Sequence, residues 1–209
     1  MLKVRIGINL VQLNSGKSGG VEQFIKNLIE HTVKFTDDNL YLFLNKNSRK
    51  SFNLNCTLVK KIFININGDP YKLDNQFHSL IKTFKIDIWV CPLFYLQPIG
   101  LKIPSVVLIP DIQHEIFPEF FSINELKWRK YSIKNSVKSA DLIFTISNFS
   151  KNSIIRQYEV PENKIHTIYG DSPIEFLNFQ EGLKEKIKNK YNLPNSFGLY
   201  PANTWPHKN

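Results

Sequence analysis

The chain alternates short apolar runs with longer stretches whose apolar residues recur every three or four positions. Residues 3–9, 40–44, 58–66, 86–91, 105–109, 141–146 and 165–169 are short, apolar and bounded by Gly, Pro, Asn or Asp, and they read as strands. Between them lie helical stripes. Phe24, Ile25, Leu28, Ile29 and Val33 mark a helix over 21–35, and Leu73, Phe77, Leu80, Ile81 and Phe84 mark one over 71–84. Leu126, Ile133 and Val137 mark a third over 123–140; shorter helices are expected over 152–158 and 181–191. Residues 45–55 are polar and read as loop, and 198–200 as a final strand. Strand and helix in regular alternation predict an α/β, Rossmann-like, doubly wound parallel sheet. The expected organisation is one such domain over 1–180, then a linker helix and the start of a second domain over 181–209.

Residues 105–109 sit at the centre of this pattern. The run is rich in β-branched residues and enclosed by Pro104 and Pro110, as expected of a strand buried on both faces. Asp111 and His114 follow at once. In open α/β sheets, ligands sit beyond the carboxyl ends of the strands, so a carboxylate and an imidazole there are placed for chemistry. The plainer reading is a Pro-Asp turn beside a hydrogen-bonded histidine. Gly19 and Gly20 hold a comparable position, where the first strand has ended and a helix begins. Backbone N–H groups at a helix start favour anions, and glycine lets a phosphate approach closely. The spacing is G-x-x-G-G rather than G-x-G-x-x-G, which argues against a dinucleotide-binding oxidoreductase.

Three stretches carry a family resemblance. Pro110-Asp111-Ile112-Gln113-His114 with Phe117-Pro118-Glu119-Phe120-Phe121-Ser122 resembles the signature of family 4 glycosyltransferases. Gly19-Gly20-Val21-Glu22-Gln23-Phe24 resembles that family's first loop, and Ser147, Ser150 and Lys151 its SxxSK segment. The closing Pro201-Ala202-Asn203-Thr204-Trp205-Pro206-His207-Lys208-Asn209 resembles the opening of its second domain. The resemblance implies a GT-B fold, two Rossmann-like domains across a cleft, and retaining transfer of a sugar from a nucleotide-sugar donor to a glycan or lipid-linked acceptor in cell-surface polysaccharide synthesis. It implies that Asp111 and His114 are catalytic, positioning the acceptor hydroxyl or the sugar. Gly19, Gly20, Glu22, Ser147, Lys151 and Lys208 would then bind substrate. It implies no metal or other cofactor, and the metal-binding D-x-D pattern is not seen. Many relatives carry a histidine just before the aspartate; here Pro110 stands there, so that role does not carry over. On local chemistry alone Ser147 is equally a helix cap and Lys151 a solvated lysine. Phe94 and Tyr95 read as packing under a loop. With the donor-binding domain nearly missing, this stretch alone is expected to be inactive.

Charge adds a partner. The net charge of the 209 residues is +9, and no acid lies between Glu125 and Asp141, where Lys127, Arg129, Lys130, Lys134 and Lys138 fall. On a helix these form a basic face, either merely solvated or in contact with an anionic membrane or a phosphate-bearing acceptor. A non-catalytic basic module binding anionic lipid or glycan is the alternative function. No helix-turn-helix, zinc or RNP pattern supports nucleic acid. No apolar run approaches the ~18–20 residues that span a bilayer, and the N-terminal stretch lacks a signal-peptide core. Cys56 and Cys91 show no metal-type spacing. The expected location is the cytoplasm, peripheral at the inner membrane face.

Overall fold

The computed structural model describes residues 3–52, 56–66, 70–170 and 182–199. They belong to two compact units, Met1–Asp171 and Ser172–Asn209. The first is a seven-stranded sheet in the order β3-β2-β1-β4-β5-β6-β7, formed by Arg5–Leu10 (β1), Asn39–Leu44 (β2), Val59–Phe63 (β3), Ile88–Cys91 (β4), Ser105–Leu108 (β5), Leu142–Thr145 (β6) and Ile165–Thr167 (β7). Every neighbouring pair is parallel. The helices are Gly19–Phe35 (α1), Pro70–Thr83 (α2), Gln113–Ile116 (α3), Ile123–Ser139 (α4) and Asn148–Tyr158 (α5). Leu183–Tyr191 (α6) lies in the second unit.

The two-residue period of the strands sorts side chains onto two faces. Ile8, Leu10, Leu40, Leu42 and Leu44 pack with Ile25 and Ile29 of α1. Phe43, Trp89, Cys91, Val107, Ile109 and Ile143 pack with Leu73, Phe77 and Ile81 of α2, Ile133 and Val137 of α4, and Ile154 of α5. Helices on both faces make the sheet doubly wound, as the alternation predicted. Gly7 explains how β1 and β4 come together. A Cβ there would lie 2.6 Å from Trp89 Cε3, and Trp89 is fixed by Phe43 and by its indole N–H donating to the Gln97 carbonyl at 2.8 Å. Burial pushes the Cys91 thiol up to about 12, which makes it an inert core group.

Local side-chain bonds move several boundaries from the sequence reading. The expected loop at 45–55 contains a 3-10 helix, Lys46–Ser51, because Asn45 Oδ1 accepts from the N–H groups of Asn47 and Ser48. The α5 helix begins at Asn148 rather than 152, because Ser147 Oγ accepts from Ser150 N–H at 3.1 Å. The α3 helix and a 3-10 turn at Pro118–Phe120 are too short to leave a periodic signature. Gly198 and Leu199, expected in a strand, have no regular secondary structure, and Tyr200 lies outside the described residues.

Candidate functional site

The strand order changes direction at β1, since the chain leaves it toward β2 and returns to its other side as β4. Such a reversal opens a crevice at the carboxyl ends of the strands. A cavity of about 570 Å³ occupies this end of the sheet. Its lining comes from segments that follow four strands. Phe94 follows β4, Leu108, Pro110 and Asp111 come from the end of β5, Ile146 follows β6, and Gly170 follows β7. The first turns of α1 supply Gly20, Val21, Gln23, Phe24 and Asn27.

Asp111 is exposed, and its Oδ1 accepts from Gln113 N–H at 3.0 Å, so it starts α3 while facing the cavity. Gly20 also lines the cavity, and nothing lies within 4 Å of where its Cβ would stand. Gly19 has φ +55°, a left-handed backbone that favours glycine. Ser18 does not cap α1, because its hydroxyl donates to the Asn14 carbonyl at 3.1 Å. The first helical turn therefore faces the cavity edge without a side-chain cap, an arrangement suited to an anion.

The remaining sequence-predicted residues fall elsewhere. His114 is not among the cavity-lining residues and is only 1 % exposed. Its Nε2 lies 3.4 Å from the Tyr158 hydroxyl and 3.6 Å from Glu115 Oε1. Tyr158 in turn donates to Glu115 Oε1 at 3.1 Å, and Lys130 Nζ lies 3.1 Å from Glu115 Oε2. Desolvation holds the imidazole below its ordinary 6.5, partly opposed by Glu115. A neutral ring donating from Nε2 to Tyr158 satisfies the network. Burial also pushes the Tyr158 phenol up. His114 and Glu115 thus fasten α3 to α5 through Tyr158, and Glu115 fastens it to α4 through Lys130. His114 does not stand beside Asp111 at the cavity mouth as expected: its ring is held inward against Tyr158, with Phe121 6.4 Å away.

Glu22 is likewise turned away from the cavity. Its carboxylate accepts from Gly16 N–H at 2.8 Å and Ser51 Oγ at 2.7 Å, and Lys26 Nζ lies 3.1 Å away. Burial raises its pKa, but the Ser51, Lys26 and Gly16 bonds outweigh that and hold it below the ordinary 4.5. It ties the glycine-bearing loop to the segment after β2. Ser147 serves as the cap of α5, and Lys151 pairs with Glu162 at 3.3 Å. Neither lines the cavity. Lys208 lies outside the described residues. No group of three or more His, Cys, Asp or Glu among the described residues is placed to hold a metal ion.

Sequence reasoning missed two contributors. Phe94, expected as loop packing, lines the cavity with φ +66°, held by its N–H donating to the Leu108 carbonyl at 3.1 Å and by the Arg129 guanidinium 5.6 Å from its ring. A left-handed phenylalanine is uncommon and marks a constrained position. Asn45 donates from Nδ2 to the Val11 and Leu13 carbonyls, anchoring the loop that ends in the two glycines. Its one sequence signal is an asparagine directly after a strand.

The sequence model of Glycosyltransferase Family 4 matches residues 18–170, a stretch that contains every cavity-lining residue. The chain belongs to glycosyltransferase family 4. Among curated relatives, this family 4 chain is 28% identical over 130 residues to O-antigen chain mannosyltransferase B of Escherichia coli, covering 62% of this chain and 34% of that one. It is 30% identical over 105 residues to O-antigen chain mannosyltransferase RfbU of Salmonella typhimurium, covering 50% and 26%. Among solved structures it resembles Anabaena HepE in complex with UDP and glucose, with a TM-score of 0.57 at 16% identity, covering 91% of this chain and 50% of that one. That likeness supports the fold, a Rossmann-like α/β sheet. The chain spans about a third or less of the curated relatives it matches and half of HepE.

Proposed function

We propose that this chain is the acceptor-side lobe of a two-lobed, retaining glycosyltransferase of cell-surface polysaccharide synthesis. In this reading a second lobe binds most of the nucleotide-sugar, and the cavity of this lobe receives the acceptor and the transferred sugar. The observation that carries it is the placement of Asp111 and Gly20 on one cavity at the strand ends, within the family-matched stretch. Relatives named as O-antigen mannosyltransferases support a glycan or lipid-linked acceptor.

The bond that breaks joins the anomeric carbon to a diphosphate, and the leaving group gains charge as it departs. The uncapped start of α1 at Gly19 and Gly20 supplies backbone dipoles toward that charge. The leaving phosphate takes the acceptor proton, and the acceptor oxygen bonds the anomeric carbon on the same face. Asp111 orients the acceptor hydroxyl. His114 acts through Asp111, by fixing the turn that carries it. The scheme uses no metal or other cofactor. It places the protein in the cytoplasm, at the inner membrane face.

The test uses the full-length gene product, a panel of labelled nucleotide sugars and a lipid extract as acceptor. The expected result is label in a lipid-linked glycan, with the donor's anomeric configuration in the product, and no turnover by the 209-residue chain alone. Absence of transfer from every donor, or an inverted product, defeats the reading.

A further inference from the structure

We propose that the outer face of α4 is the surface by which this protein docks on an anionic lipid bilayer. The proposal deepens the reading above, which it uses only for the expectation of a membrane-side acceptor. Ile133, Ser136 and Val137 are buried and fix the inward side of the helix. At about 100° per residue, Ile123, Lys127, Lys130, Tyr131, Lys134 and Lys138 fall within an arc of roughly 100° that holds no buried residue and begins about 20° from Val137. Ile123 is 68 % exposed and Tyr131 72 %. An isoleucine and a tyrosine held outward among lysines suit a helix lying in the headgroup layer, where the apolar side chains enter the acyl boundary while the lysines meet lipid phosphates.

The neighbouring groups fit this assignment. Lys127, Lys134 and Lys138 have no partner among the described residues, so their charges are free for headgroups. Lys130 is paired to Glu115 at 3.1 Å, which fastens α3 beside the stripe. Glu125 is occupied by Arg129 at 2.9 Å. A groove of about 680 Å³ borders the stripe, with Lys130, Lys134, Lys138 and Lys164 against the carboxylates of Glu115 and Glu159. Lys164 is engaged with the carbonyls of Val137 and Lys138. The balance around the groove still favours an anion.

The experiment is co-sedimentation of the whole 209-residue chain with vesicles of phosphatidylcholine alone or doped with phosphatidylglycerol. It compares wild type with Lys127→Gln/Lys134→Gln/Lys138→Gln, with Ile123→Ser/Tyr131→Ser, and with a charge-matched control on α6, Lys184→Gln/Lys186→Gln/Lys190→Gln. Each lysine at an anionic surface contributes roughly fivefold in partitioning, so the α4 triple variant loses on the order of 100-fold on doped vesicles. The serine pair loses at least about tenfold, from lost apolar insertion. The control stays within about threefold of wild type, and undoped vesicles bind weakly throughout. Equal losses in the α4 and control variants overturn the proposal, because they mean that net charge alone drives binding. Binding that ignores Ile123 and Tyr131 also overturns it. Neither outcome touches the sugar-transfer reading, because no turnover enters the measurement.

Discussion

Removing the Glu22 carboxylate separates a structural role from a substrate-binding one. In the Glu22→Ala variant, Gly16 N–H and Ser51 Oγ lose their shared acceptor and Lys26 loses its partner. Hydrogen bonds to a charged group are worth about 1.5–3 kcal/mol each. The two losses do not add fully, because the Gly16 and Ser51 groups regain water, and the half-buried Lys26 pair adds only a few tenths. A net loss of about 2–3 kcal/mol follows. For a protein of this size each kcal/mol moves Tm by roughly 2–4 °C, so the variant melts about 5–10 °C below wild type by circular dichroism. The Glu22→Gln variant isolates the charge. Because the folded-state carboxyl lies below its ordinary 4.5, the charged form stabilises the fold above that pH, and the contribution fades as pH falls through the lower folded value. The gap between wild type and Glu22→Gln is therefore full near neutrality and closes in acid. An alanine variant that melts within about 1 °C of wild type refutes the reasoning and returns Glu22 to the substrate-facing role its place in the first loop suggests.

Two further outcomes follow from the same geometry. Gly20→Val puts a branched side chain into open space at the cavity wall, so the fold is retained within about 1 kcal/mol while transfer by the full-length protein falls at least tenfold; melts and initial rates check both. For His114 the folded state holds the imidazole neutral below the ordinary 6.5, so the unfolded chain binds more protons there and stability declines as pH falls from 6.5. The His114→Gln variant lacks that part of the decline, which Tm measured between neutral pH and about pH 5 detects.

The sheet was legible because buried parallel strands are short apolar runs closed by prolines and glycines, and the helices because their inward stripes keep a 3.6-residue period. Residues 105–109 and Asp111 stand where the strand-end rule puts them. The orientation of His114 was not legible. Three residues beyond the aspartate, it lies in a helix of one turn, and what turns it inward is Tyr158, 44 residues away in sequence. The partners of Glu22 and Lys151 were not legible for a related reason. These partners, Ser51 and Glu162, come from other segments, and a local motif says nothing of which acceptor or donor the fold brings near. Phe94 was hidden because its left-handed backbone is imposed by contacts with Leu108 and Arg129 and leaves no trace in composition.

The most direct test of the site is Asp111→Asn in the full-length protein. Asparagine keeps the oxygen that accepts from Gln113 N–H, so the turn into α3 persists and Tm stays within about 1 °C of wild type. With the carboxylate gone from the cavity wall, the acceptor hydroxyl loses the group that orients it, and the rate of sugar transfer falls at least about 100-fold. A variant that transfers sugar within about threefold of wild type contradicts the account.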